Sequence, residues 1–162
     1  MAEVHRLAAS EPSFGVQAAG RLMNRIFAPW VQDLALLVET VEAIQPPGAS
    51  ADWQPGAVVR LPFSEKICGD GNVVCSQALM ALADTAMVIA CSAAWNGYRP
   101  MSAIDQTTHF LRPVSFDVIA DARVVRISRT TGVGRVTLLA ASDKRPVGMI
   151  ASAYAMVFDS AT

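Results

Sequence analysis

Hydrophobic and polar residues follow two different periods along this chain. Between Gly15 and about Trp30 the apolar positions recur every three or four residues, which predicts an amphipathic helix that bends or ends near Pro29. The positions in this pattern are Val16, Ala19, Leu22, Met23, Ile26 and Phe27. Residues 1–14 show no such period and are expected to fray.

Six further segments have the alternation or the residue types of β-strands. They are 34–44, 57–63, 101–111, 118–128, 133–142 and 147–158. The first also contains helix-favouring Leu, Ala and Glu, but its Val and Thr residues and the QPPG that follows favour a strand. In the last, small or apolar residues occupy every second position, and we expect this face to pack closely against a helix. These positions are Val147, Met149, Ala151, Ala153, Ala155 and Val157.

Between the second and third of these segments lies the stretch from Cys75 to Trp95. From Gln77 onward it is small and almost continuously apolar, with no Gly or Pro, which predicts a helix buried on most of its faces. Two strands, one long helix and four strands predict an α+β domain in which one antiparallel sheet wraps around a central helix. We expect a single domain, with a helical extension over 1–33 and the core over 34–158.

Asp84 lies in the middle of this apolar helix. An ionised carboxylate in such surroundings is costly unless it is hydrogen-bonded, paired or used in chemistry. Two roles are open: a catalytic carboxylate, or a carboxylate hydrogen-bonded across an interface between two copies. The segment is long enough to cross a membrane, but Asp84 at its centre would cost about 2.5–3.5 kcal/mol, so no membrane span is expected.

Composition and charge narrow the classes of partner. Charged residues make up 17% of the chain against about 25% in an average domain, and this sparse polar surface indicates self-association. The formal net charge of -1 gives no sign of nucleic acid. Three cysteines without zinc-ligand spacing, and no signal-peptide pattern, favour the cytoplasm. With only His5 and His109, neither a metal site nor a Cys-His or Ser-His nucleophile is expected.

The run Leu-Ala-Asp-Thr-Ala at 82–86, followed by Phe-Leu-Arg-Pro at 110–113, resembles the hotdog fold. More closely, it resembles the phenylacetic-acid-degradation type of acyl-CoA thioesterase over about 34–158. The resemblance implies hydrolysis of a small, medium or aromatic acyl-CoA thioester, with Asp84 as general base or nucleophile. It also implies a homodimer or homotetramer with its active site at the dimer interface. Coenzyme A is then part of the substrate, and no other cofactor is expected.

The family enters this helix through a His-Gly-Gly triplet, whose places here are taken by Cys75, Ser76 and Gln77. Ser76 keeps the backbone N–H that would polarise the thioester carbonyl, because a helix N-terminus offers such donors whatever the side chain. Gln77 is bulkier than Gly, and it either lines the acyl pocket or serves packing or solvent contact. Asn72, or else Asp70, would stand for an Asn that the family places a few residues earlier.

The loss of this triplet supports a second hypothesis, a non-hydrolytic acyl-CoA-binding or regulatory protein. A hydratase or dehydratase is less expected, because such hotdog proteins rely on a His that this helix lacks. Thr85 either orients the water or the carboxylate, or it bonds back within the helix.

Ser76 and Asp84 are eight residues apart, so they lie about 12 Å from each other along one helix. Reacting atoms must approach within about 3–3.5 Å. One helix therefore cannot supply both groups to one thioester, and a site that uses both needs two subunits.

Arginines are concentrated after the helix, where a fork-shaped guanidinium suits a phosphate. In the resemblance, Arg112 and Arg129 correspond to positions that contact coenzyme A, with Arg126 and Arg135 as further candidates. Solvated strand faces are the other interpretation of these arginines. His109 either contacts the substrate or simply occupies a strand face.

Overall fold

The computed structural model describes residues 13–157. Outside this range lie His5, most of the segment expected to fray, and residue 158, the end of the last predicted strand.

Two helices, two strands, a long helix and four strands follow one another along the described chain. They are α1 (Val16–Ile26), α2 (Pro29–Gln32), β1 (Leu37–Glu42), β2 (Gly56–Leu61), α3 (Ser76–Ala94), β3 (Met101–Phe110), β4 (Val118–Ile127), β5 (Thr131–Ala140) and β6 (Pro146–Met156). Short 3-10 turns at Glu65–Ile67 and Asp70–Asn72 precede α3. The predicted order is confirmed; the boundaries differ by a few residues, and the extension holds two helices because Pro29 begins a new one.

The strands form one antiparallel sheet over residues 13–157, in the order β1-β2-β4-β5-β6-β3. α3 packs against β2 and β4 of this sheet, and 13 of its 19 residues are buried. The sheet therefore wraps around a central helix, as predicted. β3, ten residues long, lies at one edge and pairs with β6 only within the described chain.

α3 is long and apolar enough to cross a membrane if length and composition alone are considered. However, 72% of its most apolar window is buried inside the protein. Its apolar character is thus accounted for by its position in the core of the domain.

The face of β6 that packs against α3 was predicted wrongly. Apart from Val147, the stripe of small and apolar residues is half-buried or exposed, and Met149 is 54% exposed. The inward face carries Ile150, Ser152 and Tyr154, each at most 3% exposed. Alternation fits either face equally well, and burying the large Ile and Tyr side chains removes more apolar surface from water than burying alanines.

Helix and sheet come close together at Gly134 of β5. A Cβ atom added there would overlap the side chain of Met87 in α3, and it would lie 2.7 Å from the carbonyl oxygen of Arg123. The absence of a side chain at this position therefore allows α3 to approach the sheet.

We predict that Gly134→Ala lowers the free energy of unfolding by about 1–3 kcal/mol, because the backbone of β4 cannot yield to the new methyl group. Gly20→Ala in α1 is the control, since no heavy atom lies within 4 Å of its added Cβ. This control should raise stability by about 0.5–1 kcal/mol through helix propensity. Urea denaturation measures the stability of both variants, and an unchanged midpoint in Gly134→Ala would contradict the close approach of α3 to β5 at this glycine.

Candidate active site

Asp84 is held from the core side by Tyr154. The phenol hydroxyl donates a hydrogen bond of 2.6 Å to Oδ1 of Asp84. Tyr154 is 2% exposed, whereas Asp84 is half-buried. Burial raises the pKa of Tyr154, and the nearby Asp84 carboxylate and the hydrogen bond raise it further. The phenol therefore stays protonated at neutral pH and remains a donor to the carboxylate.

The second oxygen of Asp84 has no hydrogen-bond partner among residues 13–157. A carboxylate can accept several hydrogen bonds, so Oδ2 is free to accept one from a water molecule or a substrate. Asp84 thus combines a fixed orientation with an unused acceptor, which suits a general base or a nucleophile.

A cavity of about 350 Å³ opens beside Asp84. Its volume lies within the range of small-molecule sites. Three parts of the chain line it: the extension, α3 and the middle of β3. The lining residues are Phe27, Trp30, Val31, Gln77, Met80, Ala81, Asp84, Thr85 and Gln106. An apolar wall with a few polar groups favours an apolar ligand that is oriented at one end.

Two of the predicted site residues join Asp84 in this cavity. Gln77 is exposed and lies seven residues before Asp84, on the same side of α3. Thr85 is 1% exposed and borders the cavity. The structure therefore brings together Gln77, Asp84 and Thr85, and the seven-residue spacing of Gln77 and Asp84 predicts the first of these pairs.

A second cavity, of about 390 Å³, lies at the beginning of α3. Ser76 and Arg112 both line it, together with Leu79 and Phe110. The N–H of Cys75 donates to the carbonyl of Ile67 at 2.9 Å. The N–H of Ser76 has no partner in the described part of the chain, as expected for the first residue of a helix. This amide is therefore available to a ligand in the cavity.

The cavities at Ser76 and Asp84 have no lining residue in common. Within one protomer the two groups are therefore separate, in agreement with the helix-rise argument. The shared site across two subunits stays a prediction.

The remaining predicted site residues lie away from Asp84. Asn72 is exposed, with a φ of 58°, in the turn before α3. His109 is exposed on β3, on the face opposite to its neighbours Thr108 and Phe110. Arg129 is exposed in the β4–β5 turn, next to Ser128, whose carbonyl accepts a hydrogen bond from Trp95 at the far end of α3. One protomer alone does not bring His109 or Arg129 to the carboxylate.

The further arginine candidates, Arg126 and Arg135, are exposed on β4 and β5. Residues 13–157 contain no group of three or more His, Cys, Asp or Glu side chains that could hold a metal ion.

Tyr154 and Gln106 were missed by the sequence analysis. Gln106 lines the Asp84 cavity, and its Nε2 lies 3.5 Å from the carbonyl oxygen of Met80. Tyr154 was missed because the opposite face of its strand was assigned to the helix. A useful signal was available, since a buried carboxylate needs a donor and Tyr combines an apolar ring with one.

We predict that Tyr154→Phe lowers the free energy of unfolding by about 1.5–3 kcal/mol near neutral pH, because a hydrogen bond to a charged group is lost. Above a pH of about 10 the unfolded wild type releases the tyrosine proton while the folded protein retains it. Rising pH then favours the unfolded wild type but not the unfolded variant. The stability difference between the two should therefore shrink, as followed by urea denaturation at several pH values.

Tyr98→Phe is the matched control, because the Tyr98 hydroxyl forms no hydrogen bond with residues 13–157 and its loss should change stability by less than about 0.5 kcal/mol. If the difference in free energy of unfolding between wild type and Tyr154→Phe stays constant through the alkaline range, this result would argue against the hydrogen bond to Asp84.

Comparison with known families gives a match to the thioesterase superfamily over residues 78–147. The matched segment begins in the first turn of α3 and ends at the start of β6. It includes Asp84 and Thr85, and it leaves out the extension, β1 and β2.

A Halobacterium salinarum protein whose name proposes an esterase is 36% identical to this chain. The aligned region covers 52% of this chain and 60% of that protein. The chain therefore spans about three-fifths of the length of this relative.

Several solved structures share the fold. The PaaI protein from the phenylacetic acid degradation operon of E. coli has a TM-score of 0.70 at 20% identity, covering 88% of this chain and 92% of that one. A thioesterase of Haemophilus influenzae has a TM-score of 0.70 at 16% identity, covering 90% and 92%. The N33D mutant of PaaI from Thermus thermophilus has a TM-score of 0.62 at 23% identity, covering 80% and 100%.

Identities this low establish a common fold, while the family match connects the segment around Asp84 with thioesterases. Together, the comparisons confirm the predicted hotdog fold, which this chain shares with the PaaI structures, and its resemblance to the thioesterase superfamily over residues 78–147.

Proposed function

We propose that this protein is an acyl-CoA thioesterase that uses Asp84 as its catalytic carboxylate. The observation that carries the proposal is the geometry of Asp84, which is held by Tyr154 and lines a largely apolar cavity of ligand size. The superfamily match over the segment that contains Asp84 supports a hydrolase. The substrate is a small, medium or aromatic acyl group joined to coenzyme A.

Hydrolysis requires a new bond from an oxygen to the carbonyl carbon and cleavage of the C–S bond. As a general base, Asp84 takes a proton from the attacking water, and the proton then passes to the departing thiolate. As a nucleophile, Asp84 forms an acyl anhydride that water subsequently hydrolyses. In both cases Tyr154 orients one carboxylate oxygen and leaves the other free.

The developing negative charge on the carbonyl oxygen needs a donor, and the Ser76 N–H of a second subunit supplies it in this proposal. β3 suggests how two copies meet, because it is an edge strand with exposed apolar residues such as Ile104, 63% exposed. Gln106 lines the Asp84 cavity and Phe110 the Ser76 cavity. Antiparallel pairing of two β3 strands centred near Thr108 would set Phe110 of one copy opposite Gln106 of the other.

This arrangement would place the Ser76 cavity of one subunit beside the Asp84 cavity of its partner. Arg112 lines the Ser76 cavity and would contact a coenzyme A phosphate there. Arg129 is the second proposed phosphate contact. The acyl and coenzyme A ends of the substrate would thus rest on different subunits.

A non-hydrolytic acyl-CoA-binding protein is the second candidate. It is favoured by Gln77, which lines the Asp84 cavity where the family has a glycine. A bulky side chain there narrows the space for the thioester and the attacking water.

We predict that the purified protein releases free thiol from members of an acyl-CoA panel and that Asp84→Asn lowers kcat at least about 100-fold, as expected for loss of a general base. Asp52→Asn, on an exposed loop, is the control and should retain wild-type turnover. Wild-type turnover in Asp84→Asn would refute the assignment. Tight acyl-CoA binding by calorimetry without thiol release by the wild type would establish the second candidate.

We predict a mass by light scattering of two or four times the 17.2 kDa of one chain. A complementation experiment tests the shared site. Ser76→Pro removes the proposed amide donor, and it should fold because Pro is favoured at the first helical position and Cys75 before it is extended. Ser76→Pro and Asp84→Asn should each be inactive alone.

Mixing the two variants by refolding should restore about a quarter of wild-type activity, since half of the dimers then contain one complete site. A monomeric mass, or no recovery after mixing, would contradict a site shared between subunits.

A further inference from the structure

The N-terminal extension reaches the proposed active site. Phe27, Trp30 and Val31 form the part of the Asp84 cavity wall that the extension contributes, and α3 contributes residues such as Met80 and Ala81. All three wall residues lie outside the segment that matches the thioesterase superfamily, which begins at residue 78. The wall that faces the acyl group in the proposed function therefore comes from a part of the chain, around α2, that the superfamily match does not include.

A further cavity, of about 190 Å³, adjoins this wall. Its lining is mostly apolar and comes from α1, α2, the start of β1 and one residue of α3. The lining residues are Met23, Asn24, Phe27, Val31, Gln32, Ala35, Leu36, Leu37 and Thr85. Phe27, Val31 and Thr85 line both this cavity and the Asp84 cavity. These three side chains therefore separate the two spaces.

Hydrogen bonds fix the position of Phe27. Its N–H donates to the carbonyl of Met23 at 3.4 Å, at the end of α1. Its carbonyl accepts a hydrogen bond of 2.8 Å from Nε2 of Gln32 in α2. The backbone of Phe27 is thus held at the junction of the two helices, and its side chain is half-buried against the core.

We propose that Phe27 and Val31 set the length of the acyl group by closing the Asp84 cavity at its inner end. This inference rests on the proposed function, because it takes the thioester carbonyl to lie at Asp84. The hydrocarbon end of the acyl group then points toward Phe27, and chains that would reach past the ring are excluded. Removing the ring joins the two cavities and makes room for a longer straight chain.

Phe27→Ala tests this proposal with a homologous series of straight-chain acyl-CoA esters. The ratio of kcat/KM for long chains to that for short chains should rise about 10-fold or more, the discrimination that a methylene in an apolar pocket provides. Val31→Ala should shift the ratio in the same direction, and it replaces Phe27→Ala as the test variant if Phe27→Ala does not fold. Phe63→Ala is the matched control, since Phe63 is also half-buried against the core but lines neither cavity.

A second measurement separates this inference from the proposed function. Calorimetry with non-hydrolysable thioether analogues of the same series records chain-length preference without turnover. If the wild type binds these analogues but hydrolyses no ester, the proposed function fails. A shift of binding preference toward longer analogues in Phe27→Ala would still support the inference that Phe27 limits the length of the acyl group. Unchanged preference in both folded variants, a matching shift in Phe63→Ala, or no binding of any analogue would overturn the inference.

Discussion

The hydrogen bond between Asp84 and Tyr154 connects the core of this protein with its candidate chemistry. A carboxylate in the middle of an apolar helix requires a donor, and the donor comes from β6, 70 residues further along the chain. To deliver it, β6 must turn its even-numbered positions toward α3. That orientation places Ile150 and Ser152 inside, and it leaves Met149 and the alanines on the outer face.

The same constraint explains where sequence reasoning succeeded and where it did not. α3 was predictable because its apolar composition and its one carboxylate can be seen in a single stretch of sequence. The succession of strands along the chain follows from the turn residues between them. The face of β6 was not predictable from alternation, since both faces of that strand are compatible with burial. Because side chains alternate along a strand, choosing the wrong face of β6 assigns every inward residue to the outside. That one choice placed Tyr154 on the outer face.

The candidate site divides in the same way. The helical rise separated Ser76 from Asp84, and helical periodicity grouped Gln77 with Asp84. Contacts between distant segments could not be derived from such periods. The approach of Trp30 to Asp84 depends on how the extension docks, which involves specific bonds such as that from the Phe14 N–H to Oδ1 of Asn96, 2.8 Å.

In the proposed function, reaction chemistry and substrate choice thus depend on different parts of the chain. The segment that matches the thioesterase superfamily carries Asp84 and most of α3, while the donor Tyr154 lies just outside this match, on β6. The wall proposed to face the acyl group comes from the α1–α2 junction and α2, outside that match. Changes at the junction of α1 and α2 could therefore alter the accepted acyl group while the Asp84–Tyr154 bond stays intact. For this reason the family match supports the type of reaction and says little about the length of the acyl chain.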